Sequence, residues 1–197
     1  MKTDIILAGV GGQGILSIAA IIGEAALDDG LFMKQTEVHG MSQRGGDVQS
    51  HLRISDHPVA SDLIPLGTAD IIISLEPMEA LRHLPYLKKG GWIVANSKPF
   101  LNIPDYPETE RIMEIYDSLP NKIILDVEQM AKDLGAPRSS NVVLLGAASS
   151  HLPIDFVKLE NGIRRIFGRK GDETVASNLK ALSAGAGHLL SWFPSII

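Results

Sequence analysis

Ile5-Ile6-Leu7-Ala8-Gly9-Val10-Gly11-Gly12-Gln13-Gly14 carries a strand-like apolar run into a glycine turn, and Ile15-Leu16-Ser17-Ile18-Ala19-Ala20-Ile21-Ile22 follows at once. Gly9, Gly11 and Gly14 satisfy G-x-G-x-x-G. Between a strand and a helix, such glycines give a tight turn, close backbone approach and close packing of helix on strand. Free N–H groups at the head of the helix then point out of the open end of the sheet, a natural seat for an anion. The stretch therefore reads as a βα phosphate-type turn, with a strand over residues 4–8 and a helix over 12–27. Asp28-Asp29-Gly30 breaks that helix. Acidic residues oppose the dipole at a helix C-terminus, so the helix is expected to stop before them.

Outward from the turn, residues 32–38 read as a second strand. Strand, helix and strand in that order imply a right-handed βαβ unit and a parallel pair. His39-Gly40-Met41-Ser42-Gln43-Arg44-Gly45-Gly46 is a polar, glycine-rich loop. Val48, Ser50, Leu52 and Ile54 then alternate with Gln49, His51, Arg53 and Ser55, the period of a half-buried strand. Ala69-Asp70-Ile71-Ile72-Ile73-Ser74-Leu75 has the continuous apolar character of a central parallel strand. Pro77 opens a helix expected to run to Lys88-Lys89-Gly90-Gly91. Further strands are expected over 92–96 and 122–127 and a helix over 108–119. Beyond these the pattern is helical, over 128–134, 139–152, 155–167 and 173–190. The expected fold class is α/β: a Rossmann-like, doubly wound, mostly parallel sheet with additional C-terminal helices, a single domain over 1–197.

The 197 residues are 45% apolar and 21% charged, enough for a substantial core without staples. A net charge of -5 offers no basic face for nucleic acid. Met1-Lys2-Thr3-Asp4 leads straight into a strand rather than a signal peptide's apolar region. The apolar helix after Gly14 is interrupted by Glu24, so no membrane span is expected and a cytoplasmic location is. The sequence has no cysteine, which excludes disulfides, thiolate zinc sites and cysteine-ligated iron–sulfur clusters on this chain.

A dinucleotide at the glycine turn would need an acidic residue at the end of the second strand, roughly 20 residues on, and Glu37 stands there. Glu37 also reads as a plain polar residue where a strand leaves the sheet. The following loop offers Arg44, a planar fork for carboxylate or phosphate, and His39, which titrates near neutrality. Three glycines, an arginine and a histidine in one loop favour function or an interface over simple solvation. His39 and Ser42 lack an orienting acid, which disfavours a hydrolase. His51 and His57 lack metal-ligand spacing and read as surface histidines. Ser139-Ser140-Asn141 reads as a helix N-cap, which adds anion donors if it faces the glycine turn. Arg164, Arg165, Arg169 and Lys170 read as a solvated face.

G-V-G-G-Q-G at 9–14, E-V-H-G-M-S-Q-R-G-G at 37–46 and Asn141…Leu145-Gly146-Ala147 together resemble the gamma-type subunit or domain of the 2-oxoacid:ferredoxin oxidoreductases. The likeness runs from the first strand to the last helix, and the 37–46 stretch looks most like the branch that oxidises indolepyruvate. The resemblance implies a division of labour. A 2-oxoacid is decarboxylated on thiamine diphosphate, electrons pass through iron–sulfur clusters to ferredoxin, and the acyl group goes to coenzyme A. Thiamine diphosphate, Mg2+ and the clusters are then expected on a large partner subunit. Gly171-Asp172-Glu173 does not look like the family's metal–diphosphate motif. This chain is expected to hold no cofactor or metal alone, to carry no catalytic residue and to be inactive alone. Its expected role is to help form a shared coenzyme A site with Gly9, Gly11, Gly12, Gln13, Gly14, Arg44, Gly45 and Asn141. Two alternatives stay open: a stand-alone NAD(P)- or FAD-binding oxidoreductase, and a non-catalytic module binding an anion or nucleotide.

Overall fold

The structure, a computed structural model, describes residues 1–39, 45–101 and 103–192. Its elements are β1 (Lys2–Val10), α1 (Ile15–Asp28), β2 (Phe32–His39), β3 (Asp47–Ser55), β4 (Ala69–Ser74), α2 (Pro77–Arg82), β5 (Leu87–Asn96), α3 (Thr109–Ser118), β6 (Lys122–Leu125), α4 (Val127–Asp133), α5 (Ser140–Ala148), α6 (Phe156–Phe167) and α7 (Asp172–Trp192). The sheet order is β2-β3-β1-β4-β5-β6. β1, β4, β5 and β6 are parallel, and β3 alone runs against its neighbours β1 and β2.

The mostly parallel α/β sheet is as the sequence implies, but the expected β1–β2 pair does not form. β2 runs in the same direction as β1, yet β3 lies between them. β2 and β3 form an antiparallel pair from Phe32↔Ser55 to His39↔Val48, and β3 then zips against β1 from Lys2↔Ser55 to Val10↔Asp47. That inner position explains a second departure: β3 is buried on both faces rather than half-buried. Its apolar set packs toward α1. Its polar set is covered by the segment after β3, whose Ser61 and Leu63 carbonyls accept from Arg53 and whose Ile64 N–H donates to His51.

Two cores flank the sheet. Ile5 and Leu7 face one that includes α1, α5 and α6, and Ile6, Ile72 and Ile93 face one closed by Ala80 of α2 and Ile112 and Tyr116 of α3. α5 is buried from Asn141 to Ala148 and crosses α7 at two glycines. A Cβ on Gly146 would stand 2.1 Å from the Leu182 carbonyl oxygen, and one on Gly185 2.0 Å from that of Val143. The two backbones touch there, which a side chain at either position would prevent.

Helix ends also shift for physical reasons. α1 continues through Asp28 because α6 supplies the missing positive charge. Lys158 donates to the Asp28 carbonyl at 3.1 Å and to its carboxylate at 2.9 Å, and Arg165 pairs with the same carboxylate. These bonds hold the Asp28 carboxyl below its ordinary pKa, the Lys158 bond foremost. α2 stops at Arg82, because Pro85 cannot continue a helix, and Lys88, Lys89 and Gly90 belong to β5 instead of closing α2. α5 stops at Ala148 and tightens into a 3-10 turn over Ser149–His151. Among the described residues, no helix is long and apolar enough to cross a membrane.

Candidate functional site at the glycine turn

The turn between β1 and α1 closes when the Gln13 N–H donates to the Val10 carbonyl at 3.1 Å. The Gln13 side chain faces inward. Its Oε1 accepts from the Val10 N–H at 2.8 Å and its Nε2 donates to the Leu75 carbonyl at 3.2 Å, tying the end of β1 to the end of β4. Gly9 makes room for that amide, since a Cβ there would lie 2.9 Å from Gln13 Oε1. Gly14 caps α1 at φ 92, in the left-handed region, and a Cβ would meet Asn141 Nδ2 at 2.7 Å. Asn141 Nδ2 itself donates to the Gly14 carbonyl at 3.1 Å. Gly11 donates to the Gly46 carbonyl at 2.9 Å and accepts from Gly45 at 3.4 Å, so the end of the 40–46 loop is sewn to the turn.

Gly9, Gly11, Gly12, Gln13, Gly14, Gly45 and Asn141 thus come together, as their selection from sequence requires. Arg44 lies outside the described residues. Most of these groups hold one another. Gly12 is the exception: it is exposed, at φ 104, with open space where a Cβ would go. Among the described residues, no side chain caps α1 and no acid stands in its first turn, so its leading N–H groups find no side-chain acceptor there.

Three cavities share Gly12. One of about 530 Å³ lies between the turn, residues 135–139 and the start of α7, with Ser17, Arg138, Asn141, Lys170, Glu173 and Ser177 on its walls. A second, about 380 Å³, includes Gln13, Leu75, Asn96, Lys132, Arg138 and Ser140. The third, about 510 Å³, includes Ile15, Leu16, Glu37 and Val48. Arg138 borders two of them, and the sequence reading passed it over. The clue was local: Gly135-Ala136-Pro137-Arg138 forces a turn just before the serines that start α5. That start does face the glycine turn. Ser139 holds the N-cap position without a side-chain cap bond.

Other expectations need correction. Glu37 pairs with Ser50 across β2 and β3 and borders the third cavity, but β3 occupies the place beside β1 that a dinucleotide fold gives to its second strand. His51 is buried, not at the surface. Its Nδ1 accepts from the Ile64 N–H at 2.9 Å, its ring meets Tyr86 edge-on, and burial lowers its pKa. His57 is exposed and pairs with Asp56 at 2.6 Å. The basic cluster is not simply solvated: Arg165 serves Asp28, and Lys170 lies 5.2 Å from the Phe167 ring centre and on the wall of the first cavity.

Fold and site define a class, an α/β chain with a Rossmann-like mixed sheet whose glycine turn opens onto cavities of about 380–530 Å³ at the carboxyl end of its strands. Within it, this chain belongs to the pyruvate ferredoxin/flavodoxin oxidoreductase family, whose sequence pattern matches residues 4–187. It is 36% identical over 206 residues to the indolepyruvate oxidoreductase subunit IorB of Archaeoglobus fulgidus, with 100% of each chain covered. A keto/oxoacid ferredoxin oxidoreductase gamma subunit from Geobacter sulfurreducens shares the fold at a TM-score of 0.72 and 26% identity, over 97% of this chain and 98% of that one. The 2-oxoglutarate:ferredoxin oxidoreductase from Magnetococcus marinus, solved with 2-oxoglutarate, coenzyme A and succinyl-CoA bound, shares the fold at a TM-score of 0.74 and 24% identity. That likeness covers 94% of this chain but only 30% of that chain.

Proposed function

We propose that this chain is the small subunit of a thiamine-diphosphate-dependent 2-oxoacid:ferredoxin oxidoreductase acting on indolepyruvate or a related aryl-pyruvate. The observation that carries the reading is the end-to-end likeness to the indolepyruvate oxidoreductase subunit. On this reading a large partner subunit in the cytoplasm holds thiamine diphosphate, Mg2+ and the iron–sulfur clusters and passes electrons to ferredoxin. The composition agrees, because a chain without cysteine has no thiolate to offer a cluster.

The part assigned to this chain is a share of the coenzyme A site. Coenzyme A, when bound, supplies the thiol that takes the acyl group. The residues present suit its phosphate-bearing end. Gly12 lets a phosphate approach the backbone, and the uncapped start of α1 offers N–H donors with the positive end of the helix dipole behind them. Arg138 and Lys170 border the same space with a guanidinium and an ammonium. Gln13 and Asn141 keep the turn in shape rather than reaching for the ligand. Arg44 is proposed as a further contact on its sequence position alone.

Reconstitution with the large subunit tests both parts. Omitting this chain should abolish indolepyruvate-dependent ferredoxin reduction, and full activity of the large subunit alone would sink the subunit role. With the complex intact, Arg138→Ala should raise the KM for coenzyme A by tenfold or more, the loss of one charge-assisted contact of about 1.5–3 kcal/mol. An unchanged KM in both Arg138→Ala and Lys170→Ala would remove coenzyme A from this cavity and leave the subunit role standing.

A further inference from the structure

On the opposite face of the sheet from α1, three buried polar atoms cluster without a hydrogen-bond partner among the described residues: Asp47 Oδ1, Glu79 Oε2 and His83 Nε2. Asp47 opens β3, Glu79 lies on α2 and His83 caps that helix. Glu79 and His83 are only 4% and 5% exposed. One ligand atom from each of the three residues lies within 4.8 Å of the other two.

Leaving such atoms unpaired in a protein interior is costly, so three of them converging needs a cause. The surrounding charge sharpens the point. Glu76, fully buried beside them, already accepts from the Glu79 N–H at 2.8 Å, the Phe100 N–H at 3.3 Å and the Tyr106 hydroxyl, so these donors are not available to the cluster. Arg82 is the cation in contact. Its Nε is 3.2 Å from Glu79 Oε2 without hydrogen-bond alignment, and its side chain is half exposed. The Glu79 carboxyl thus lies near two further carboxyl groups, Asp47 and Glu76, and among the described residues Arg82 is the cation paired with it.

We propose that Asp47, Glu79 and His83 form a site for a divalent first-row transition cation such as Zn2+, bound by two carboxylate oxygens and one imidazole nitrogen. One nitrogen with two oxygens suits such an ion better than Mg2+ or Ca2+, which take oxygen ligands almost alone. A cation there gives each unpaired atom a partner and offsets the excess negative charge. Burial and the Asp47 charge push the Glu79 carboxyl up to about 7, and burial lowers the His83 pKa, which leaves its imidazole neutral and ligand-ready. The site is independent of the coenzyme A cavity. It also fixes the residue that immediately follows Gly45-Gly46, the pair sewn to the glycine turn.

The test uses the full-length chain, stripped with chelator and titrated with Co2+ and then Zn2+. One equivalent of Co2+ should bind with visible d–d absorption, and Zn2+ should displace it. Zn2+ should also raise Tm. Glu79→Gln and His83→Gln, folded by circular dichroism, should each weaken binding at least tenfold and lose the Tm rise. No binding by the folded native chain would overturn the proposal and leave a proton shared between Asp47 and Glu79 as the occupant. Equal binding by both variants would overturn it in favour of an adventitious surface site. Should the variants fail to fold, X-ray absorption of the Zn2+-loaded native chain decides, since a spectrum without imidazole scattering is incompatible with the site.

Discussion

β3 carries a charged side chain at each end of one face, and the two ends are built on opposite terms. At one end Arg53 makes four hydrogen bonds, two to Asp4 at 2.9 and 3.2 Å and two to the Ser61 and Leu63 carbonyls at 3.0 and 2.8 Å. At the other, Asp47 Oδ1, Glu79 Oε2 and His83 Nε2 converge, and among the described residues no donor or acceptor satisfies these three atoms. A buried polar group costs several kcal/mol unless its bonds are made. The Arg53 end meets that demand within the chain and so reads as structure. The Asp47 end does not, and a protein keeps such a group where something from outside completes it.

The largest test breaks the satisfied end. Arg53→Ala leaves the Asp4 carboxylate, only 1% exposed, with Lys2 at 2.8 Å as its remaining cation and frees two carbonyls of the covering segment. Urea unfolding should register a loss of about 3–5 kcal/mol. A loss under about 1 kcal/mol would mean that the segment after β3 is not held by this arginine. The glycine turn comes next, since its Gln13 and Asn141 side chains are satisfied too. Gly14→Ala puts a Cβ at φ 92 and against Asn141, and should cost about 1–3 kcal/mol. In the Asn141→Ala background the clash is gone and the backbone strain remains, so the penalty should shrink without vanishing. An unchanged penalty would show that Asn141 yields freely.

This contrast also explains what the sequence reveals. The β1–α1 turn was legible because glycine spacing and apolar period are local, and the residues chosen there do meet. The position of β3 was not, because whether a strand inserts beside β1 depends on pairings up to 53 residues apart, Lys2 with Ser55 among them. That one insertion turned His51 from a surface histidine into a buried one and moved Glu37 a strand away from β1. Arg138 was hidden by distance from the turn, with only Gly135 and Pro137 to hint at the bend. The Asp47–Glu79–His83 cluster was invisible for a further reason. Glu76-Pro77 with Glu79 reads completely as the acidic start of a helix, and Glu76 does cap α2, so nothing in the string is left unexplained.

The subtlest prediction compares the two ends by pH. In the metal-free chain, burial first and the Asp47 charge second raise the Glu79 carboxyl from its ordinary range to about 7. The folded state therefore holds that proton more tightly than the unfolded chain. Its stabilising effect is complete below the unfolded pKa, near 4.5, and is lost as pH rises through that value toward about 7. Glu79→Gln cannot titrate, so its stability should fall less across this window, and at pH 8 it should exceed that of the metal-free native chain by on the order of 1–3 kcal/mol. Added Zn2+ should reverse the order, since only the native chain keeps both carboxylates to hold it. The Arg53 end lies at the other end of the strand, and Glu79→Gln should leave the Arg53→Ala penalty unchanged. If Glu79→Gln instead destabilises the metal-free chain at pH 8, then Arg82 satisfies Glu79 better than its geometry indicates, and the two ends of β3 are alike after all.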